Sequence, residues 1–203
     1  MSRYQIIARE GMVPLLTTTM VAVLVMYFAG LPASLVFWAL ALLVLLMFRD
    51  PERDIPSIPM AVLSPADGRI TSISATHDPY LQRESYRVTM LMNPYGVFTT
   101  RSPVEGKVLE PPNFPDDTSK PHGVWLQTDE GDDVVMVMGK GRLNNAPRCY
   151  IRYGERIGQG KRCGFVHLGG KIDIYLPEAS RPLVAEGDWV RSGSDVIANL
   201  IHD

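Results

Sequence analysis

The chain has 203 residues, a net charge of −2 and a pI near 6.1. Charge this balanced leaves no basic footprint, which excludes nucleic acid as a partner. Its two cysteines, Cys149 and Cys163, have neither metal-ligand spacing nor the makings of a disulfide framework, and read as buried free thiols in strands.

The N-terminal quarter carries most of the hydropathy. Met12 to Ala29 is apolar except for Thr17, Thr18 and Thr19; Gly30, Leu31 and Pro32 interrupt it; Ala33 to Phe48 is apolar again apart from Ser34. As helices these stretches would be about 24–27 Å long, slightly short of a typical hydrocarbon core. Arg3 and Arg9 precede the first, Arg49 and Arg53 follow the second, and no charge lies between. The positive-inside rule then puts both ends, and the rest of the chain, on the cytoplasmic side of the cytoplasmic (inner) membrane. A re-entrant hairpin predicts the same side. A cleaved signal peptide fits poorly, because a second apolar segment follows at once.

Residues 1–48 are therefore expected to be a membrane-anchoring helical hairpin, 49–60 a proline-broken linker and 61–203 a β domain. Ala61 to Leu63 leads into the turn Ser64-Pro65-Ala66-Asp67-Gly68, and Arg69 to Ser74 continues as a strand. Tyr86–Met92, Val97–Arg101, Gly106–Leu109, Val124–Thr128 and Asp133–Met138 read as further strands. The last two flank Asp129-Glu130-Gly131-Asp132, a solvated hairpin turn rather than a metal site. Gly154-Glu155-Arg156-Ile157-Gly158-Gln159-Gly160 is echoed 33 residues later by Gly187-Asp188-Trp189-Val190-Arg191-Ser192-Gly193. This Gly-acid-x-aliphatic-x-x-Gly pattern resembles the hammerhead hairpins of lipoyl- and biotinyl-type domains. The expected fold is mainly β: a barrel-sandwich, lipoyl-like domain on an N-terminal two-helix transmembrane hairpin. The tip Arg191-Ser192-Gly193-Ser194 has no lysine to modify, which argues against a lipoylated carrier.

The most informative stretch is Cys163-Gly164-Phe165-Val166-His167-Leu168-Gly169-Gly170-Lys171-Ile172-Asp173-Ile174-Tyr175-Leu176-Pro177. With Arg3 to Gly11, Phe48-Arg49-Asp50-Pro51-Glu52-Arg53 and Ser64-Pro65-Ala66-Asp67-Gly68 in the same order, it resembles the short phosphatidylserine decarboxylases over nearly the whole chain. The resemblance implies a pyruvoyl cofactor made by self-cleavage between Gly and Ser. The Ser hydroxyl attacks the preceding carbonyl, and elimination and hydrolysis turn the Ser into pyruvoyl.

Three positions carry that chemistry in the resemblance. Asp67 falls on the aspartate that assists the catalytic histidine, and is retained. Phe98, in Pro94-Tyr95-Gly96-Val97-Phe98-Thr99-Thr100-Arg101-Ser102-Pro103-Val104, stands where the histidine belongs and cannot accept a proton. Gly169 and Gly170 occupy the Gly-Ser cleavage site, and Gly170 has neither hydroxyl nor β carbon. His77, His122, His167 and His202 remain, but no histidine restores that hydroxyl, and Ser180 sits in a loop-like stretch beyond Pro177. No Ser/His/Asp triad, phosphate-binding Gly loop or zinc spacing is visible, so no metal is expected.

The expected protein is a decarboxylase-related membrane protein of phospholipid metabolism that cannot form pyruvoyl as written. Its expected partners are a membrane phospholipid, with phosphatidylserine as the candidate, and a homo- or hetero-oligomer with an active relative. Two other readings stand beside it: an active decarboxylase making phosphatidylethanolamine by an unrecognised route, and a non-enzymatic lipoyl-like membrane adaptor.

Overall fold

The computed structural model describes residues 7–113 and 123–201. His122, His202 and Arg3 lie outside them. The chain divides into two compact units, Met1–Glu52 and Arg53–Asp203.

In the first unit, helix α1 (Arg9–Ala29) and helix α2 (Leu31–Met47) are joined at Gly30, whose φ of 83° favours glycine. Pro32 opens α2, where a missing N–H costs nothing. The threonines that interrupt the apolar run satisfy their hydroxyls within the helix. Thr17 donates to Val13 O (3.1 Å), Thr18 to Pro14 O (2.8 Å) and Thr19 to Leu15 O (2.7 Å). Such internal pairing suits a helix in a medium without water. The far ends close on each other: Ala8 N–H donates to Phe48 O at 2.8 Å, and Ile7 bridges Arg49. By length and composition α1 can cross a membrane, while α2, with 17 residues, is shorter. This supports membrane association.

The second unit is all antiparallel β. Its strands are β1 (Ala61–Leu63), β2 (Gly68–Asp78), β3 (Arg83–Met92), β4 (Thr99–Arg101), β5 (Gly106–Leu109), β6 (Gly123–Gln127) and β7 (Asp133–Gly141). There follow β8 (Arg148–Cys149), β9 (Arg156–Ile157), β10 (Arg162–Phe165), β11 (Gly170–Pro177), β12 (Arg181–Pro182), β13 (Trp189–Val190) and β14 (Val196–Asn199). An eight-stranded sheet runs β13-β2-β3-β11-β7-β6-β5-β9, beside two three-stranded sheets, β1-β14-β12 and β4-β10-β8. Alternation places the core. Val134, Met136 and Met138 of β7 join Val88, Met90, Ile172 and Ile174 inside, while Val135 and Val137 pack with Tyr80 and Tyr175 in a second cluster.

The mainly β expectation is met. Two details differ. Val97 and Phe98 precede β4 rather than belonging to it, although both are buried. Cys149 is exposed rather than buried, because it lies on the two-residue edge strand β8. Cys163 is buried, and loss of solvation pushes its thiol up to about 12. A thiol reagent should therefore modify Cys149 alone in the native protein and Cys163 only after denaturation; equal native labelling would contradict this packing.

The 33-residue echo is half of a larger duplication. Ser102-Pro103-Val104-Glu105-Gly106 repeats Ser64-Pro65-Ala66-Asp67-Gly68. Ser64 Oγ donates to Ala66 O (2.8 Å) as Ser102 Oγ does to Val104 O (2.7 Å). Gly193 N–H donates to Ser64 O (2.8 Å) as Gly160 N–H does to Ser102 O (2.9 Å). Gly187 N–H reaches Ile70 O, and Gly154 N–H reaches Val108 O, both at 2.8 Å. In the ladders Trp189 faces Arg69 as Arg156 faces Lys107. The halves lock reciprocally: Leu63 N–H donates to Pro103 O (2.9 Å) and Arg101 N–H to Pro65 O (2.8 Å). The domain thus contains two copies of one turn-and-hairpin unit, locked to each other reciprocally.

Candidate active site

Asp67 sits where the first Ser-Pro-x-acid-Gly turn enters β2. Both its carboxylate oxygens are engaged. Oδ1 accepts the Ser192 N–H at 2.7 Å, and Oδ2 accepts Arg53 Nη2 at 2.5 Å. The pair is largely buried, with side-chain exposures of 16% for Arg53 and 18% for Asp67. Ser192 Oγ also donates to Pro65 O at 3.0 Å, so the second hairpin clasps the turn. Arg53, which the sequence reading left in the linker, supplies a cation to the aspartate. Arg53 closes the Phe48-to-Arg53 motif of the resemblance, but nothing in that motif indicates that it reaches Asp67.

Gly169 and Gly170 lie at the junction of β10 and β11. Leu168 (φ 58°) and Gly169 (φ 70°) are both left-handed, and Gly169 N–H closes a tight turn onto Val166 O at 3.1 Å. A left-handed leucine is uncommon and costs energy that the surrounding ladder must hold. The Gly169 carbonyl, the one self-cleavage would attack, accepts the Arg142 N–H at 3.1 Å. A backbone donor of this kind would stabilise an oxyanion there.

Residue 170 is walled in. A Cβ built on Gly170 would lie 2.7 Å from Lys140 O, 3.0 Å from Val166 Cγ1 and 3.3 Å from Gly139 O. Gly170 is paired with Gly141 of β7, which brings these carbonyls close. Gly170 itself has neither hydroxyl nor β carbon, and any side chain there would need the Lys140 carbonyl to give way.

Phe98 is buried and packs edge-on against Phe165, with ring centroids 6.2 Å apart and planes at 90°. Phe165 meets His167 at 4.9 Å in the same manner. Phe98 O accepts the Val166 N–H at 2.9 Å, so positions 98 and 170 are joined through Val166. Asp67 reaches the same neighbourhood through Asn93. Asn93 N–H donates to Asp67 O at 2.8 Å, and Asn93 O lies 3.5 Å from the Cβ position of Gly169. The fold thus gathers Asp67, Phe98 and the Gly169-Gly170 pair from three separate segments. Ser180, by contrast, lies beyond β11 in the link to β12, and His77 pairs with Glu84 at 3.3 Å on the surface.

The family model for phosphatidylserine decarboxylase matches residues 40–198. The chain belongs to the phosphatidylserine decarboxylase family. Phosphatidylserine decarboxylase proenzymes are similar to it along almost their whole length. That of Paraburkholderia xenovorans is 37% identical, covering 97% of this chain and 98% of its own. That of Nitrosomonas eutropha is 38% identical, covering 97% and 96%, and that of Paraburkholderia phymatum 36%, covering 97% and 98%. Among solved structures, glucose permease IIA from Mycoplasma capricolum is similar at a TM-score of 0.45 and 20% identity, over 68% of this chain and 93% of that one.

The family's Ser-Pro-Ala-Asp-Gly turn has a twin in this chain that the sequence reading missed. Its signal is local: Ser102 to Gly106 keeps the Ser, Pro and Gly of the first turn and an acid at the fourth position. At the twin turn Glu105 is exposed and no arginine takes the place of Arg53 among its described ion pairs. A cavity of about 310 Å³ opens there, lined by Met60, Ala61, Val104, Glu105, Asp129 and Gln159 among others. One turn is thus charge-paired through Asp67, while the other, at Glu105, borders an open cavity. Among the described residues no cluster of His, Cys, Asp and Glu could hold a metal.

Proposed function

We propose that this chain is a membrane-associated member of the phosphatidylserine decarboxylase family that does not make pyruvoyl, and acts as a lipid-binding or regulatory homologue. The observation that carries the reading is Gly170, with Lys140 O at 2.7 Å from where a side chain would begin. Phe98 supports it independently, because a buried phenyl ring replaces the base. Two such losses leave the turn, the clasp on Asp67 and the Gly169 carbonyl donor as a scaffold without its reactive atoms. The proposed partners are an anionic or amino-phospholipid, with phosphatidylserine the first candidate, and an active relative with which the chain would assemble. The arginines flanking the apolar helices favour the cytoplasmic membrane with the β unit on the cytoplasmic side.

Intact mass spectrometry of the purified protein tests the reading. One uncut chain of 22.6 kDa is expected. A C-terminal fragment beginning at residue 170 with a blocked amino end would overturn it, in favour of an active decarboxylase working by another route.

A further inference from the structure

One register row on the solvent face of the large sheet has an unusual composition. Trp189 of β13 faces Arg69 of β2, Arg69 faces Leu91 of β3, and Leu91 faces Lys171 of β11. All four are exposed, Trp189 at 66% and Leu91 at 45%. Neighbouring strands lie about 4.8 Å apart, so these side chains form a continuous stripe in which apolar groups and cations alternate. Two more apolar side chains rise from the loops that hold residue 169. Tyr95, 90% exposed, follows Asn93, and Leu143, 68% exposed, follows Arg142. Lys140 and Arg142, both exposed, add positive charge beside them. The nearby carboxylates are held in place: Asp173 by Lys171 and Thr89, Glu186 by the Ile73 N–H and Asp188 by the Ala185 N–H, which leaves Arg69, Lys140 and Arg142 as the cations unpaired with them and Lys171 to be shared between Asp173 and a phosphate.

We infer that this face docks the β unit on an anionic phospholipid bilayer, with Trp189, Leu91, Tyr95 and Leu143 entering the interface and Arg69, Lys171, Lys140 and Arg142 meeting lipid phosphates. The occupant follows from charge complementarity and from the side chains themselves. Tryptophan and tyrosine settle at the headgroup level, and basic residues are drawn to anionic leaflets. The apolar helices of the same chain hold this unit near a bilayer, which raises its effective concentration there without a protein partner. Docking would set the Gly169–Gly170 turn against the lipid surface. The inference deepens the lipid-binding reading above and rests on it.

The full chain, reconstituted into vesicles, carries its own reporters, since its tryptophans are Trp38, Trp125 and Trp189. One version keeps only Trp189 (Trp38→Phe, Trp125→Phe) and another only Trp38 (Trp125→Phe, Trp189→Phe). Each is placed in vesicles of phosphatidylcholine alone or of equal parts phosphatidylcholine and phosphatidylglycerol, with bromine on the acyl chains as quencher. Trp38 should be quenched in both lipids and Trp189 only with phosphatidylglycerol. Lys171→Glu with Leu91→Asp, both at exposed positions, should return Trp189 to its phosphatidylcholine level while circular dichroism stays native. If Trp38 is quenched and Trp189 is not, docking is overturned and membrane association stands. If neither is quenched, both fall. Equal quenching of Trp189 in the two lipids overturns the anionic occupant. Protection from acrylamide without quenching by brominated lipid means that another protein molecule covers the face, which also overturns the inference.

Discussion

Gly170→Ser alone should process only very slowly, while Gly170→Ser with Phe98→His should process about 100- to 10,000-fold faster, the usual contribution of a general base. The serine restores the attacking hydroxyl and the β carbon that elimination needs. It must also displace Lys140 O, now 2.7 Å from the Cβ position, so β7 has to yield locally. The Gly169 carbonyl already has its backbone donor in Arg142 N–H. What the single mutant lacks is a proton acceptor, because the Phe98 ring offers only an apolar edge to Phe165. Histidine is close to phenylalanine in size, and burial there would favour its neutral, basic form. Fragment appearance over time on denaturing gels compares the two variants. Equal rates would show that position 98 is not the base and that Val166, not Phe98, marks the neighbourhood of the site.

Gly68→Ala and Gly106→Ala should each destabilise the β unit by about 3 kcal/mol, at the upper end of what overpacking costs. A Cβ on Gly68 would lie 2.3 Å from Leu91 O, and one on Gly106 2.2 Å from Gln127 O. These are the same position in the two copies: each glycine ends a Ser-Pro-x-acid-Gly turn and lets the next strand cross a neighbouring carbonyl. Neither wall is a flexible side chain, so the backbone itself must move. Gly131→Ala is the contrast. Its φ of 95° is strained for alanine, but nothing lies within 4 Å, so only about 1 kcal/mol is expected. For a domain of this size 3 kcal/mol corresponds to roughly 6–12 °C in Tm. Thermal unfolding followed by circular dichroism in detergent measures all three. A harmless Gly106→Ala beside a damaging Gly68→Ala would break the equivalence of the two halves.

Much of the molecule was legible in the residue order. The apolar runs, the glycine between them, the hairpin turns at Gly131 and the alternating strands are local patterns, and local geometry alone produces them. The resemblance rested on short motifs in shared order, and the family match follows from the same residues. The absence of a hydroxyl at 170 and of an imidazole at 98 is equally local: a missing atom is missing in any fold. Strand edges were less legible. Val97 and Phe98 look like strand because they are apolar, yet both are buried before the β4 ladder begins, Phe98 by packing against Phe165. Cys149 looked like core for the same reason, and an edge strand of two residues leaves it exposed.

By itself, then, the sequence determined the class of fold, the membrane-seeking helices, the family and the residues that stand at positions 98 and 170. Only the tertiary structure decided how Asp67 is held, by an arginine 14 residues away and a hairpin 125 residues away. It alone closed position 170, because the carbonyl that fills the space belongs to Lys140 and arrives through the β7–β11 pairing. It also decided that two motifs 38 residues apart are one motif twice, since their shared role lies in backbone hydrogen bonds from hairpins distant in the chain. Long-range ladders bring such groups together, and no local pattern of side chains records which carbonyl will face which residue.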